Sequence, residues 1–205
     1  MEDLVIDWGE LGHEVRWAHQ IEESPGADFC FCLSFGRLVP SATRALFGHT
    51  LVVHESDLPH GKGWSPLTWQ ILEGRARIPV TLFEAAANID SGAIYAQRWI
   101  EFQGHELVDE LRAAQAAATL DLCHWFVEHY PASVAQARPQ TGAESLYPRR
   151  GPDDSRLDPC RTIAEQFDLL RVVDNRRYPA FFEWRGRRYR IAISHHANES
   201  RSHRV

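Results

Sequence analysis

The chain has 205 residues, 44% hydrophobic and 24% charged, enough to bury one domain's core and unlike a collagenous or disordered composition. It has no apolar run near the roughly 18 residues of a membrane span, and its acidic start, Met1–Glu10, lacks a secretory core. The expectation is therefore a cytoplasmic protein with no membrane partner. Net charge is −6, split into 9 basic and 20 acidic side chains over residues 1–148 and 13 and 8 over residues 149–205. That balance argues against nucleic acid as partner. It leaves the C-terminal quarter as either a solvated Arg-rich surface or a contact for a phosphate-bearing substrate.

In chain order, His13–His19 reads as a strand after the Leu11-Gly12 turn, and Asp28–Leu33 as a second strand. Alternation puts Cys30 and Cys32 on one face of that strand, as buried, reduced thiols. Ser41 is placed to cap a short helix over 42–47 that Gly48 ends. The apolar run Thr50–His54 suits a strand covered on both faces. Ser65-Pro66 opens a helix that stops at Gly74. Ile78–Phe83 and Ala93–Phe102 are strands joined through the turn Asp90-Ser91-Gly92. Leu107, Leu111, Ala114, Ala118, Leu122 and Trp125 recur at helical spacing, which predicts a long helix over 105–130 stopped by Pro131. Residues 136–157 are loop-like, Thr162–Val172 is a short helix, and Pro179–Ile193 is a hairpin around Arg185-Gly186. The tail from Ser194 reads as disordered. Its His195, His196 and His203 make no helical metal-binding pattern, and no metal is expected.

Strands alternating with helices imply an α/β fold with a mostly parallel sheet, in which ligands sit beyond the carboxyl ends of strands. The organisation reads as a catalytic domain over 1–135, a C-terminal extension over 136–193 and a tail over 194–205. His54 ends a buried strand. A loop rich in Pro and Gly follows it, with Gly61 and Gly63 around Lys62, the only lysine. Asp90 lies at a tight turn after another strand. Two readings stand at this point. His54 and Asp90 form an acid/base pair in which the carboxylate orients the imidazole, or they are a satisfied structural His and a turn-forming Asp.

The pieces His54, Ser56, Leu58-Pro59, Gly61-Lys62-Gly63, Pro66, Trp69, Gly74, Val80-Thr81 and Asp90-Ser91-Gly92-Ala93-Ile94 stand in one order, preceded by Ser34-Phe35-Gly36-Arg37-Leu38-Val39-Pro40. This resembles the N10-formyltetrahydrofolate-dependent formyltransferases over about residues 28 to 130, with their N-x-H, S-x-L-P, G-V-T and D-x-G-x-I elements. The resemblance implies a Rossmann-like formyltransferase fold with a small C-terminal hairpin. It implies His54 as acid/base and Asp90 as the residue that tunes and orients it. It implies a folate pocket at Trp64 and Ala86-Ala87-Asn88-Ile89-Asp90. Formyl transfer to an amine needs a proton acceptor for the attacking nitrogen and donors for the oxyanion.

Departures from the pattern carry expectations too. Val52 stands where the family has Asn, and losing one oxyanion donor typically costs about 10²–10³ in rate. Ser34, Ser56, Asn88 or a backbone N–H are the candidate substitutes. Lys62 and Trp64 each replace an Arg, and Trp64 either stacks on a flat ligand or simply packs. The family opens with a strand, a turn and a helix before the segment resembling Glu14–His19. Here that N-terminal strand reads as short or missing, with Leu4-Val5-Ile6 a remnant of either the strand or the helix, and a partner or a second copy of the chain would cover the edge.

The segment Tyr147-Pro148-Arg149-Arg150-Gly151-Pro152-Asp153-Asp154 resembles the corresponding stretch of amino-sugar formyltransferases. It implies a nucleotide-linked amino sugar as substrate, bound by Lys62, Tyr147, Arg149 and Arg150. The arginines either clamp the diphosphate or pair with Asp153 and Asp154 and shape the loop. Glu106, at the start of the long helix, either faces substrate or favours the helix dipole. A different small amine, or a weakly catalytic folate-binding homologue, are the alternative functions.

Overall fold

The computed structural model describes residues 2–21 and 24–196. Its elements are α1 (Glu2–Glu10), β1 (Ala27–Cys32), α2 (Ser41–Arg44), β2 (Phe47–His54), β3 (Lys62–Gly63), α3 (Pro66–Leu72), β4 (Arg77–Glu84), β5 (Ile94–Glu101), α4 (Val108–Glu128), α5 (Ala132–Ala135), β6 (Leu146–Tyr147), α6 (Phe167–Val172), β7 (Ala180–Trp184) and β8 (Arg187–Ile191). Four strands form the main sheet in the order β1-β2-β4-β5. The α/β architecture and the C-terminal hairpin β7–β8 agree with expectation.

The sheet is mixed rather than mostly parallel. β1 and β2 are parallel, whereas β2–β4 and β4–β5 are antiparallel. The length of α3 explains this. β2 has 8 residues and α3 has 7, spanning roughly 26 Å and 10 Å. So short a helix cannot return the chain to the start of β2. β4 therefore sets off from the end where β2 stopped and runs back beside it, with His54 opposite Thr81.

The main core lies between this sheet and α4. Leu111, Leu122 and Phe126 are buried against Ile78, Val80, Leu82 and Ile100, each such side chain contributing about 1.5–3 kcal/mol. On the same helix, Cys123 packs with Leu4 and Trp8 of α1, and the Trp8 ring lies 5.1 Å from Phe31. Of the two elements, strand or helix, Leu4-Val5-Ile6 is thus part of a helix. His13–His19 forms no strand either, since Trp17 is about half exposed and no ladder pairs the segment with β1. Among the described residues, no strand pairs with the outer edge of β1.

The expected helix over 42–47 is a single turn. Gly48 lies inside β2, where a Cβ would meet the Asp28 carbonyl oxygen at 2.7 Å. Ser65 does not cap α3: its φ is 50° and its side chain makes no cap bond. The C-terminal extension has its own small core of Leu157, Leu170, Val173 and Ala180. Buried Arg171 of α6 ties it to α4 by donating to the Glu106 carboxylate at 2.9 Å and the Glu106 carbonyl at 3.0 Å. The same carboxylate accepts the N–H groups of Gln103 and Gly104. Glu106 is therefore engaged in starting the helix and docking α6. His195 meets Glu110 at 2.7 Å, and the tail from 197, including His203, lies outside the described residues. No helix among the described residues is long and apolar enough to cross a membrane.

Candidate active site

His54 is the last residue of β2 and is buried. The loop after it folds back so that the Gly61 carbonyl accepts a hydrogen bond from His54 Nε2 at 2.9 Å. A carbonyl only accepts, so the hydrogen sits on Nε2 and Nδ1 is the basic nitrogen. The fold-back is tight. Gly61 has φ 75°, and a Cβ there would press on the Tyr147 ring and the Ser56 Cβ, so glycine is required.

Asp90 comes to His54 by a route that strand ends alone would not supply. β4 ends level with Leu51, below His54. The loop over 85–93 leaves that point, pinned at its start by Ala85 N–H donating to Thr50 O at 2.7 Å. It then climbs back, so that Asp90 Oδ2 lies 3.7 Å from His54 Nε2 and accepts the Gly63 N–H at 2.9 Å. The carboxylate is thus held by β3 beside the imidazole.

Residues outside the expected set hold this loop in place. Gln140 Nε2 donates to the carbonyls of Asp90 and Gly92, at 2.9 Å each. Arg44 donates to Val39 O at 2.6 Å and Ala86 O at 3.1 Å. Gly92 passes so close to the Glu84 carbonyl that a Cβ would run into it. Glu55, next to His54, is buried and accepts from Gln115 Nε2 of α4 at 2.8 Å; burial pushes its carboxyl above the ordinary range. Apart from the glycine and the Arg44–Val39 contact, which spans five residues, the partners of these side chains lie 42 to 60 residues away along the chain, so they carry no local sequence signal. The glycine of Asp90-Ser91-Gly92 was visible as a turn residue.

The folate candidates form one strip. The main-chain N–H groups of Ala86, Ala87 and Asn88 donate to no protein acceptor among the described residues. Ile89 and Trp64 are exposed, Trp64 to 38%. Val52 packs with Leu58, Phe83 and Ile94 in an apolar cluster. Of the candidate substitutes for the Asn, the Ser56 hydroxyl stands out: it is buried and has no hydrogen-bond partner, an arrangement rare enough in proteins to want a cause.

The substrate candidates divide. The Arg149 guanidinium lies 4.9 Å over the Trp64 ring, so these two come together at the exposed lip. Arg150 lies over Trp69 at 5.2 Å and donates to the Asp154 carbonyl at 2.7 Å, while Asp154 itself accepts from Gly151 N. Arg150 therefore shapes its loop. Tyr147 is buried beneath, stacked on Trp69, and donates to Glu73; burial and that carboxylate push its hydroxyl up to about 12. Lys62 is buried with its ammonium on Glu144 at 2.7 Å. Beside the loop after His54 opens a cleft of about 520 Å³, with Pro59, His60, Arg138 and Thr141 in its walls.

A sequence profile of the formyl transferase family matches residues 13–122. The chain belongs to that family. It is 27% identical over 168 residues to a methionyl-tRNA formyltransferase of Streptococcus gordonii, covering 81% of this chain and 53% of the relative, so it spans about half the length of that protein. Among solved structures, a methionyl-tRNA formyltransferase from Clostridium thermocellum matches with TM-score 0.68 at 22% identity, over 84% of this chain and 74% of that one. A 4-N formyltransferase from Francisella tularensis matches at 0.65 and 18%, over 81% and 70%. HypX from Aquifex aeolicus in complex with tetrahydrofolic acid matches at 0.66 and 17%, over 78% and 28%. These likenesses establish the formyltransferase fold.

Proposed function

We propose that this formyltransferase moves the formyl group of N10-formyltetrahydrofolate to the primary amine of a small molecule, a nucleotide-linked amino sugar, with His54 as acid/base and Asp90 as its orienting carboxylate. The observation that carries this reading is the His54–Asp90 pair with Nε2 engaged at Gly61. That tautomer leaves Nδ1 to take the proton the attacking amine must shed. Asp90, 3.7 Å away, then stabilises the imidazolium. Negative charge growing on the formyl oxygen needs a fixed donor. Ser56 Oγ, buried and unpartnered, has the chemistry to be that donor in place of the Asn that Val52 replaces.

The donor's pterin suits the strip Ala86–Asp90, whose open N–H groups match its ring acceptors, with Trp64 as a flat wall. The amino-sugar reading rests on Arg149, held over Trp64 at the lip, a cation able to meet a diphosphate. The curated relatives favour a second reading, an aminoacyl-tRNA amine. The balance of 20 acidic against 9 basic side chains over residues 1–148 opposes a polyphosphate partner.

Calorimetry with 5-formyltetrahydrofolate tests the donor site, and an amine panel of nucleotide-linked 3-amino and 4-amino sugars, free amino sugars and methionyl-tRNA tests the acceptor. Micromolar folate binding with turnover of a nucleotide sugar supports the proposal. Turnover confined to methionyl-tRNA or to an unlinked amine overturns its acceptor, and absence of folate binding by the folded chain overturns its donor. If Arg149→Ala leaves KM for the nucleotide sugar unchanged, Arg149 does not bind the diphosphate.

A further inference from the structure

On β1, the sulfurs of Cys30 and Cys32 lie 3.9 Å apart on one face of the strand. We propose that these two residues form an oxidisable dithiol, a modification site that closes to an intramolecular disulfide by exchange with a low-molecular-weight disulfide. Closure needs a local kink of β1, because a disulfide also brings its Cβ atoms to about 3.5–4.5 Å, while the Cα spacing already fits. Residues two apart on a strand are separated by roughly 6.6 Å between Cα atoms, inside the range of about 4.4–6.8 Å that disulfides occupy. β1 is an edge strand with no partner on its outer side among the described residues, so it has room for the small contraction that brings the sulfurs into bonding distance.

The two thiols differ in the way exchange requires. Cys30 is half-buried and Cys32 buried, and both line a groove of about 480 Å³ with Trp8, Phe29 and Phe47, from which Cys30 is the more accessible to a small reagent. The Cys32 thiol, more deeply buried, shares a hydrogen bond with the Cys30 sulfur. That contact lowers the Cys30 thiol from its ordinary value, while the same contact and burial raise Cys32. Cys30 is accordingly the attacking thiolate and Cys32 the resolving thiol. In the first step Cys30 Sγ bonds one sulfur of the reagent disulfide and expels the other as thiolate. In the second, Cys32 loses its proton to solvent and attacks Cys30 Sγ, expelling the second reagent thiolate. The protein gives up two protons and two electrons, and one reagent disulfide becomes two thiols.

The pair lies close behind the proposed reaction site. Cys32 is level with Val52, two residues before His54, and the chain continues into the loop where Gly36 abuts the Trp64 ring. Of the other cysteines, Cys123 is fully buried and Cys160 is exposed.

The test uses the full chain with Cys160→Ser, which removes the one exposed competing thiol. It is incubated folded with oxidised glutathione, blocked with iodoacetamide, and its intact mass and peptides are measured. The expected product lacks two hydrogens, carries no glutathione, confines the bridge to the peptide holding Cys30 and Cys32, and reverts with dithiothreitol. Adding Cys32→Ser is expected to trap a stable glutathione adduct on Cys30, and adding Cys30→Ser to abolish reaction. Full alkylation of both thiols in a chain that keeps its circular dichroism overturns the proposal. So does a glutathione adduct on Cys30 that never resolves while Cys32 is present, or a bridge to Cys123.

Discussion

Gln140 holds Asp90 by its backbone: the side-chain amide donates to the Asp90 carbonyl at 2.9 Å and, with its second hydrogen, to the Gly92 carbonyl at the same distance. The residue proposed to orient the imidazole is thus itself oriented from a segment fifty positions on. Gln140→Ala removes both bonds and leaves two carbonyls without this donor, a loss on the order of 1–3 kcal/mol. A fall in thermal midpoint, together with a lower kcat/KM at saturating amine, is the expected result. Unchanged kcat/KM would mean that the turn holds Asp90 without help.

His54 and Asp90 separate by the readout chosen. If His54 takes the amine's proton, His54→Asn lowers kcat by about 10²–10⁴ while 5-formyltetrahydrofolate still binds in a calorimeter. Asp90→Asn keeps the Gly63 N–H bond through its carbonyl oxygen but removes the charge beside the imidazole, so the loss falls on kcat more than on KM. Wild-type turnover in either variant would remove the pair from the mechanism.

Ser56 offers an unusually clean comparison. Its hydroxyl has no partner among the described residues, so Ser56→Ala forfeits no hydrogen bond seen there and the thermal midpoint is expected to hold or rise. If the hydroxyl serves the oxyanion, the same variant loses about 10²–10³ in kcat. A variant as active as the parent would hand that role to another donor.

At Gly92 a side chain has nowhere to go, because its Cβ would occupy the position of the Glu84 carbonyl oxygen. Gly92→Ala is expected to destabilise by about 3 kcal/mol and to displace Asp90, read by denaturant unfolding and by loss of turnover. A parental stability would show that the loop can lift off β4 at no cost.

Asp174 contributes to the acid sensitivity of the C-terminal extension. Its carboxylate accepts the N–H groups of Arg177 and Arg176 and pairs with Arg112 of α4 at 2.9 Å, which lower its pKa to about 2. The folded state therefore binds this proton less readily than the unfolded chain, whose Asp titrates near about 3.9. The stabilisation is complete above that value and is lost as pH falls from about 4 toward 2. Asp174→Asn should lower the thermal midpoint at pH 7 and flatten its decline over that acid window. An unchanged slope there would assign the sensitivity elsewhere.

Much of this was readable before any coordinates. Glycine and proline punctuation located α3 and the hairpin β7–β8, the helical spacing of Leu111 and Leu122 located α4, and His54 was legible as a polar residue closing an apolar strand. These signals are local, carried by φ preferences and by apolar periodicity within one element. Periodicity failed at His13–His19, where side chains alternate suitably but no neighbouring strand supplies the ladder that makes a strand.

What sequence alone determined, then, were the longer elements, β1, β2, α3, β4, β5, α4 and the hairpin, and the residue types of the candidate site, but not α1 or the pair β3–β6. Tertiary structure decided how they meet. The shortness of α3 turned β4 antiparallel, so Asp90 reaches His54 over a climbing loop and not from a neighbouring strand end. Gln140, Arg44 and Glu55 became part of the site only because the chain folds back on itself. Such contacts depend on the positions of backbone groups in space, and a carbonyl 50 residues away leaves no mark on the sequence near its donor.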